Sequence, residues 1–307
     1  MFFEGNTEVF THLLKKQRLL AAHDAQHATI RPLLLILSGT MRGVYGGGQV
    51  IALERFGLTR AFDVAVGIST GAPTVAYFLA KQAVVGTSIY CKECTTNRFI
   101  SVPRLTVDVD YIADVLRGVG SPKGLDQQAI YASRSQFFVG VTCAETGEAV
   151  LIDAKTDTSD VVHAIRASIA IPGLTRGPVM LGGKPYLDGV GAHPLPIRLL
   201  LERFQPTDIL VCANGPVNER GRRLERLAWL LMTAKNPPAV QTAFTTRATR
   251  FTNELEYLRT QEHCRFAVLW SDDRIGHLTQ KPHELSAAAQ RAEQHLSELL
   301  DEARGST

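Results

Sequence analysis

The chain has 307 residues, 45% hydrophobic and 21% charged, which is enough apolar material for one large α/β domain or two small ones. Its 33 basic and 30 acidic residues leave a net charge of +3, too small a bias to predict a nucleic-acid partner. Five scattered cysteines and the lack of an apolar leader after Met1 favour a reducing, cytoplasmic location. No uninterrupted apolar run reaches the length of a membrane span.

Residues 1–30 are predicted to form an appended helix. Apolar residues near helical spacing are Phe10, Leu13, Leu14, Leu19 and Leu20. Basic residues lie among them, so a helix resting peripherally on a membrane surface is an alternative to one that packs on the domain. Residues 31–307 are expected to form a single domain, because no internal repeat, low-complexity tract or clear linker divides them.

From residue 31 onwards, strand and helix patterns alternate. The predicted strands are 33–37, 63–66, 136–143, 149–153, 179–181, 185–187, 208–212 and 265–269. The predicted helices are 49–56, 72–83, 161–169, 197–204, two stretches between the last two strands, and a terminal helix from residue 283. Strands separated by helices predict an α/β fold with a largely parallel, helix-covered sheet.

A serine lies between two glycines in G-I-S-T-G, residues 67–71, where the second strand passes into a helix. Gly67 and Gly71 remove the Cβ atoms that would crowd a sharp turn. Such a turn exposes the hydroxyl of Ser69 above the helix N-terminus, as in a nucleophile elbow. The pattern alone is also compatible with an ordinary strand–helix turn whose hydroxyl caps the helix.

A glycine-containing loop, S-G-T-M-R-G at residues 38–43, follows the first buried strand. Acyl transfer needs backbone N–H groups directed at the oxygen on which negative charge develops, and such a loop exposes them. Arg42 could brace the loop or raise the local positive potential. The stretch fits neither a P-loop nor a dinucleotide-binding fingerprint, so no cofactor is expected there.

A candidate base follows a predicted hairpin strand, in Y-L-D-G-V-G at residues 186–191. Asp-Gly is often simply a turn. Gly189 would also let Asp188 approach another backbone closely. A carboxylate within hydrogen-bond reach of a serine can accept its proton, and burial favours this by raising the carboxyl pKa.

These elements resemble the patatin-like phospholipases, particularly bacterial members. The matching stretches are S-G-T-M-R-G, G-I-S-T-G, A-I-R-A-S-I-A-I-P-G and the Asp-Gly pair, in the family's order and across 33–196. The resemblance implies a three-layer α/β/α sandwich and a Ser–Asp dyad without histidine. Carried over by position, Ser69 is the nucleophile and Asp188 the base. The amides of Gly39 and Thr40 lie where the family's oxyanion donors lie, near Arg42 and Gly43.

The sequence departs from the family pattern at two places. Ser38 and Thr40 stand where the family usually has the first and third of three glycines. Thr40 is β-branched and resists a positive φ, so the oxyanion loop is expected to be distorted or narrowed. Asp188-Gly189-Val190 replaces the commoner Asp-Gly-Gly. These changes leave the dyad intact.

Other candidate sites are weaker. Cys91 and Cys94 have metal-ligand spacing, but no second such pair completes a zinc site, so two thiols on a surface segment are expected. Cys143, Cys212 and Cys264 are expected in the core. His193 and His277 follow glycine-containing loops and are the histidines expected nearest the site. Arg166, in the R-A-S helix, is expected to brace the active-site side of the fold.

The expected function is a serine acyl hydrolase that cleaves carboxylic esters of phospholipids or lysophospholipids, without metal or cofactor. An esterase with a Ser69–Asp188–His277 triad is the alternative enzyme, because that chain order is available. A lipid- or protein-binding relative that has lost turnover is the non-enzymatic alternative, favoured by the altered glycine loop. The sequence does not determine the oligomeric state.

Overall fold

In a computed structural model, which describes residues 1–101, 106–158, 160–216, 222–272 and 274–305, a nine-stranded sheet forms the centre of the molecule. The strands are, in chain order, β1 (Phe2–Gly5), β2 (Pro32–Ile36), β3 (Val64–Ile68), β4 (Ile100–Ser101), β5 (Thr106–Val107), β6 (Gln136–Cys143), β7 (Ala149–Asp153), β8 (Val179–Leu181), β9 (Lys184–Asp188), β10 (Asp208–Cys212) and β11 (Arg265–Trp270).

The helices surround this sheet. In chain order they are α1 (Glu8–Ala21), α2 (Gly43–Arg55), α3 (Gly71–Leu79), α4 (Ala83–Cys91), α5 (Val109–Leu116), α6 (Gln127–Ala132), α7 (Val161–Ser168), α8 (Ile197–Phe204), α9 (Arg222–Met232), α10 (Pro238–Thr245), α11 (Arg247–Arg259) and α12 (Pro282–Gly305). No helix of the described ranges is long and apolar enough to cross a membrane.

The strand order is β1-β11-β10-β2-β3-β6-β9-β8, with β7 also paired to β6. The five strands from β11 to β6 are parallel, whereas β1, β7, β8 and β9 pair antiparallel at or near the edges. β4 and β5 form a separate pair. The predicted mainly parallel sheet is therefore confirmed. Its carboxyl edge is where functional loops of such folds gather.

The two faces of the sheet are covered by different helices. Because successive strand residues point to opposite faces, Leu34 and Ile36 of β2 join a cluster with α2, α3 and α12. Leu33 and Leu35 join a second cluster with α8 and α11. β2 is buried on both faces, which explains its uninterrupted apolar run. The predicted three-layer sandwich is confirmed.

One helix begins earlier than predicted. Residues 49–56 were expected to be helical, but α2 begins at Gly43 and includes three consecutive glycines. Glycine lowers helix propensity, so the sequence pattern indicates a loop there. Packing overrides propensity: a Cβ on Gly48 would lie 2.1 Å from the carbonyl oxygen of Ala289 on α12. The glycines therefore allow two helices to approach closely.

The predicted helix 72–83 is too long. α3 ends at Leu79, and Lys81 adopts φ +56° before a second helix, α4, begins at Ala83. A left-handed residue cannot continue a right-handed helix. Helices α4, α5 and α6 and strands β1, β4 and β5 were not predicted. Three helices, α9, α10 and α11, lie between β10 and β11, where two helical stretches were expected.

The N-terminal segment contributes more than a helix. β1 pairs with β11 at the sheet edge, and α1 packs into the main apolar cluster through Val9, Phe10 and Leu13. Lys16 on α1 is fully buried, and its ammonium donates to Asp63 at 2.5 Å. These contacts join residues 1–30 to the sheet. The domain boundary at residue 31 stays a prediction.

Candidate active site

The predicted elbow lies where β3 passes into α3. Ser69 stands between the two elements with φ +54°, a left-handed conformation that a non-glycine residue adopts only under strain. A Cβ on Gly67 would lie 2.4 Å from the Cα of Ala72, and one on Gly71 would lie 2.0 Å from the carbonyl oxygen of Ile36. Both flanking glycines are therefore required by the turn.

Sheet register brings Ser69 to a carboxylate that is far away in sequence. Ile68 is opposite Gly140 on β6, and the next residue of β6 is opposite Asp188 at the end of β9. The hydroxyl of Ser69 donates a hydrogen bond to Oδ2 of Asp188 at 2.7 Å. A Cβ on Gly189 would lie 2.2 Å from the carbonyl oxygen of Gly140, so glycine permits this close approach.

The environment of Asp188 suits a base. The side chain is fully buried, and loss of solvation raises the pKa of its carboxyl to about 7. Three weaker influences oppose the rise: the amide of Val190, which donates to Oδ1 at 2.8 Å, the hydroxyl of Ser69, and the charge of Arg247. A carboxyl that titrates near neutrality can accept and return a proton at physiological pH.

Ser168 is a positioning residue that the sequence did not identify. Its hydroxyl accepts the amide N–H of Ser69 at 2.8 Å and donates to the carbonyl of Gly140 at 2.7 Å. It thereby ties the elbow to β6. The only signal was its place in the R-A-S stretch. In that stretch, Arg166 donates to Asp110 at 2.5 Å and joins α7 to α5, in agreement with the bracing role expected for it.

The backbone amides of the glycine-containing loop differ in their hydrogen bonding. The amide of Arg42 donates to Gly39, and that of Gly43 to Met41 and Thr40. Among hydrogen bonds between described residues, none uses the amide of Gly39 or Thr40 as donor. Thr40 has φ +52°, the conformation that its β-branch resists. Thr40 and Ser69 line the same cavity.

His277 braces this loop. Its backbone carbonyl accepts the amide of Met41 at 3.2 Å, and its ring nitrogens lie 3.3 Å from the carbonyl oxygen of Gly39 and 3.2 Å from Nη1 of Arg42. Arg42 also donates to the carbonyl of Ile275 at 2.8 Å. Because Ser69 donates directly to Asp188, no imidazole stands between hydroxyl and carboxylate as a triad requires.

His193 lies against Gly140 of β6, but its surroundings do not suit a proton-transfer role. It is almost fully buried, and loss of solvation lowers the pKa of its ring to about 4. Its Nε2 has no hydrogen-bond partner among the described residues. Its backbone amide donates to the carbonyl of Gly189 at 2.7 Å. The residue therefore packs behind the Asp188 loop as a neutral side chain.

An apolar cavity of about 70 Å³ opens beside Ser69. Helices α2 to α5 enclose it, and Ile169 and Ile171 complete its wall. Its main apolar residues are Met41, Val50, Pro73, Tyr77, Ile89, Tyr90, Phe99, Val107, Val109, Ile112 and Leu116. Cys94 also lines it and is buried, so the expectation of two surface thiols is wrong for this residue. The amide of Cys94 donates to the carbonyl of Ile89 at 3.0 Å, which keeps this residue against the end of α4.

The other cysteines lie away from any cluster of metal-binding side chains within the described ranges. Cys91 is half-buried, and all five cysteines are free. Cys143, Cys212 and Cys264 are buried, as predicted. Within the described ranges, no group of three or more His, Cys, Asp or Glu side chains is arranged to hold a metal ion.

Comparison with known families gives a match over more than half of the chain. A family model described as patatin-like phospholipase matches residues 34–201. The uncharacterised protein YjjU of Escherichia coli strain K12 is 26% identical over 172 residues, covering 54% of this chain and 47% of that protein. The chain thus spans about half the length of this curated relative.

Two solved structures resemble the fold at low identity. VipD from Legionella pneumophila has a TM-score of 0.47 and 12% identity, over 89% of this chain and 67% of VipD. The type III effector protein ExoU has a TM-score of 0.42 and 12% identity, over 89% of this chain and 53% of ExoU. At these values neither neighbour bears on activity.

Proposed function

The chain belongs to the patatin-like phospholipase family, and from this premise we propose that it is a serine hydrolase of lipid carboxylic esters. The observation that carries the proposal is the 2.7 Å hydrogen bond from Ser69 to a fully buried carboxylate. Asp188 is the base, and the substrates are phospholipids or lysophospholipids. Family membership supports lipid acyl hydrolysis in general. The dyad and the type of phospholipase belong to the proposal.

The first half-reaction acylates the serine. Asp188 takes the proton of the Ser69 hydroxyl as Oγ attacks the ester carbonyl. The amides of Gly39 and Thr40 hold the oxyanion of the tetrahedral intermediate, a role supported by their freedom from hydrogen bonds to described residues. When the intermediate collapses, the Asp188 carboxyl returns its proton to the departing alcohol oxygen. The acyl group remains on Ser69.

The second half-reaction releases the fatty acid. Asp188 takes a proton from water as the water oxygen attacks the acyl carbon. The same amides hold the second oxyanion, and collapse returns the proton from Asp188 to Oγ of Ser69. One carboxylate thus serves as base and acid in both halves, which a pKa near 7 permits.

The cavity supports a lipid substrate. Its walls beside Ser69 are almost wholly apolar, and its volume of about 70 Å³ suits a slender hydrocarbon segment rather than a bulky polar headgroup. We assign it to the acyl chain. A Ser–Asp–His triad has less support, because His277 contacts the Gly39 loop and not the dyad.

The test is covalent labelling combined with lipid hydrolysis. A fluorophosphonate probe should add once to the wild-type protein and not to Ser69→Ala, as measured by intact mass. The wild type should also release fatty acid from phospholipid or lysophospholipid in excess chelator. Ser135→Ala is the matched control: it removes a buried hydroxyl that donates to the carbonyl of Phe62 at 2.7 Å, away from the elbow, so labelling should persist. Equal adducts on wild type and Ser69→Ala would overturn the proposal, and absence of labelling would favour a non-catalytic relative.

A further inference from the structure

Helix α9 carries apolar side chains on its solvent side. Leu227, Leu230 and Leu231 are 53%, 46% and 69% exposed and lie within little more than one helical turn. Single exposed leucines are common on protein surfaces, but a cluster of this kind marks an interaction site. We refer to these three side chains as the α9 patch.

The opposite side of α9 is joined to the catalytic carboxylate's surroundings. Trp229 packs on the cluster that contains Leu187 and Val190, which lie on either side of the Asp188-Gly189 pair. Glu225 accepts hydrogen bonds from Trp229 and from Arg247. The helix is therefore held in place from within, and the α9 patch is not simply the outer side of a loose segment.

The α9 patch borders a groove that extends to the segment beside the apolar cavity. An open groove of about 920 Å³ lies between α9 and residues 172–178, with Leu231 and Met232 on one wall. Pro172 lines this groove, while the preceding residue, Ile171, lines the apolar cavity beside Ser69. The groove and the cavity therefore border the same short stretch of chain, residues 171–172.

Three exposed basic residues of the described ranges lie on or beside the α9 patch and its groove. Arg226 on α9, Lys235 just beyond it and Arg176 across the groove are all exposed. The acidic residue of this helix, Glu225, is turned inward against Arg247. Leucines that can enter an acyl layer, flanked by cations at headgroup level, are the features of an interfacial helix on an anionic membrane.

We propose that the α9 patch docks the protein on the surface of an anionic phospholipid bilayer, with the groove beside α9 facing the lipid. This inference rests on the proposed function, because an enzyme that hydrolyses membrane lipids must take its ester from the bilayer. It assigns membrane contact to α9 rather than to the N-terminal helix, whose Val9, Phe10 and Leu13 are buried in the core.

The test is vesicle binding by the full chain in a Ser69→Ala background, so that binding is measured without turnover. Co-sedimentation would use vesicles of phosphatidylcholine alone and mixed with phosphatidylglycerol. The protein should bind the mixed vesicles more tightly, and added salt should weaken binding. Leu227→Gln/Leu230→Gln/Leu231→Gln should reduce the partition coefficient at least about tenfold, since each buried leucine is worth about that factor.

The matched control is Val84→Gln/Val119→Gln, which changes two comparably exposed apolar residues elsewhere and should bind as the parent does. With Ser69 restored, the triple variant should retain kcat/KM on a water-soluble short-chain ester, which shows that it folds. Failure of vesicle binding by the parent, or equal binding by the triple variant, would overturn the inference. So would a dimer that the triple variant dissociates in the absence of vesicle binding. An inactive protein that still binds vesicles through α9 would refute the proposed function alone.

Discussion

Two fully buried aspartates lie near opposite ends of the parallel strands of one sheet and have different surroundings. Asp208, at the start of β10, accepts from Arg265 at 2.8 Å, from Thr207 at 2.6 Å, and lies 3.1 Å from Nδ1 of His12. Asp188, at the end of β9, has a neutral hydroxyl and an amide as its hydrogen-bond partners. Burial is shared, so burial alone does not make a carboxylate reactive. What differs is a cation held in direct contact.

This contrast explains why one group suits chemistry and the other suits structure. The carboxylate of Asp208 is held by a guanidinium, a hydroxyl and an imidazole, and these contacts join β10 to β11 and α1. Asp188 has no guanidinium as a hydrogen-bond partner among the described residues, and its burial raises the pKa of its carboxyl to about 7. The position on the sheet agrees, because ligand sites of parallel α/β sheets lie beyond the carboxyl ends of the strands.

The largest expected effect separates the two aspartates by catalysis. Asp188→Asn preserves shape but removes the base, and Ser69→Ala removes the nucleophile, so each should lower kcat/KM on a lipid ester by about 10⁴-fold or more. Asp208→Asn is the matched buried control, and the kcat/KM of its folded fraction should stay within about tenfold of the wild-type value. His277→Ala should also stay within about tenfold, because it removes no proton-transfer group. Loss of catalysis in folded Asp208→Asn would break the comparison, and loss in folded His277→Ala would restore the triad.

The second effect is on pH dependence. The ionised form of Asp188 is active, so kcat/KM should rise with pH through about 7. Stability should move the other way: the folded carboxyl binds its proton more tightly than the unfolded one, so its contribution falls as pH rises from about 4 to 7. The shift from 3.8 to about 7 corresponds to roughly 4 kcal/mol.

Urea unfolding of wild type and Asp188→Asn across this pH range measures that contribution. Asn cannot titrate, so the variant should gain stability relative to wild type as pH rises from about 4 to 7. If the two proteins keep a constant difference in the free energy of unfolding across the range, Asp188 does not carry the raised pKa.

The third effect concerns the structural aspartate. Asp208→Asn should lower the free energy of unfolding by about 2 kcal/mol, because Arg265 and His12 lose their anionic partner. The value lies below that for a fully buried pair because both partners are partly exposed to water. Arg198→Gln, which breaks the more exposed pair with Glu254, is the control and should cost less than about 1 kcal/mol. Equal costs in urea unfolding would remove the distinction.

The features that could be predicted from the sequence are those that depend on neighbouring residues in the chain. Ser69 and Asp188 stand beside glycines that a sharp turn and a close approach require, and the doubly buried strands show as apolar runs. The start of α2 was predicted too late because Gly48 is required by its contact with α12, which is far away in the chain. Ser168 was missed for the same kind of reason: its hydroxyl acts through the amide of Ser69, and no local pattern records that contact.

The smallest expected effect tests the oxyanion loop. Thr40 has φ +52°, which costs a β-branched residue on the order of 1 kcal/mol or more. Thr40→Gly removes that strain but gives the unfolded chain more freedom, worth roughly 0.5–1 kcal/mol in the other direction. The two terms nearly cancel, so the free energy of unfolding should change by less than about 1 kcal/mol.

The backbone amide survives in Thr40→Gly, so kcat/KM should remain within about tenfold of wild type. Thr40→Ser is the matched control, because it keeps the hydroxyl and removes the branch. A loss of a hundredfold or more in the glycine variant, about the cost of deleting one oxyanion donor, would show that more than the amide is needed. Recovery of activity in the serine variant would then assign the loss to the hydroxyl, and no recovery would assign it to loosening of the loop.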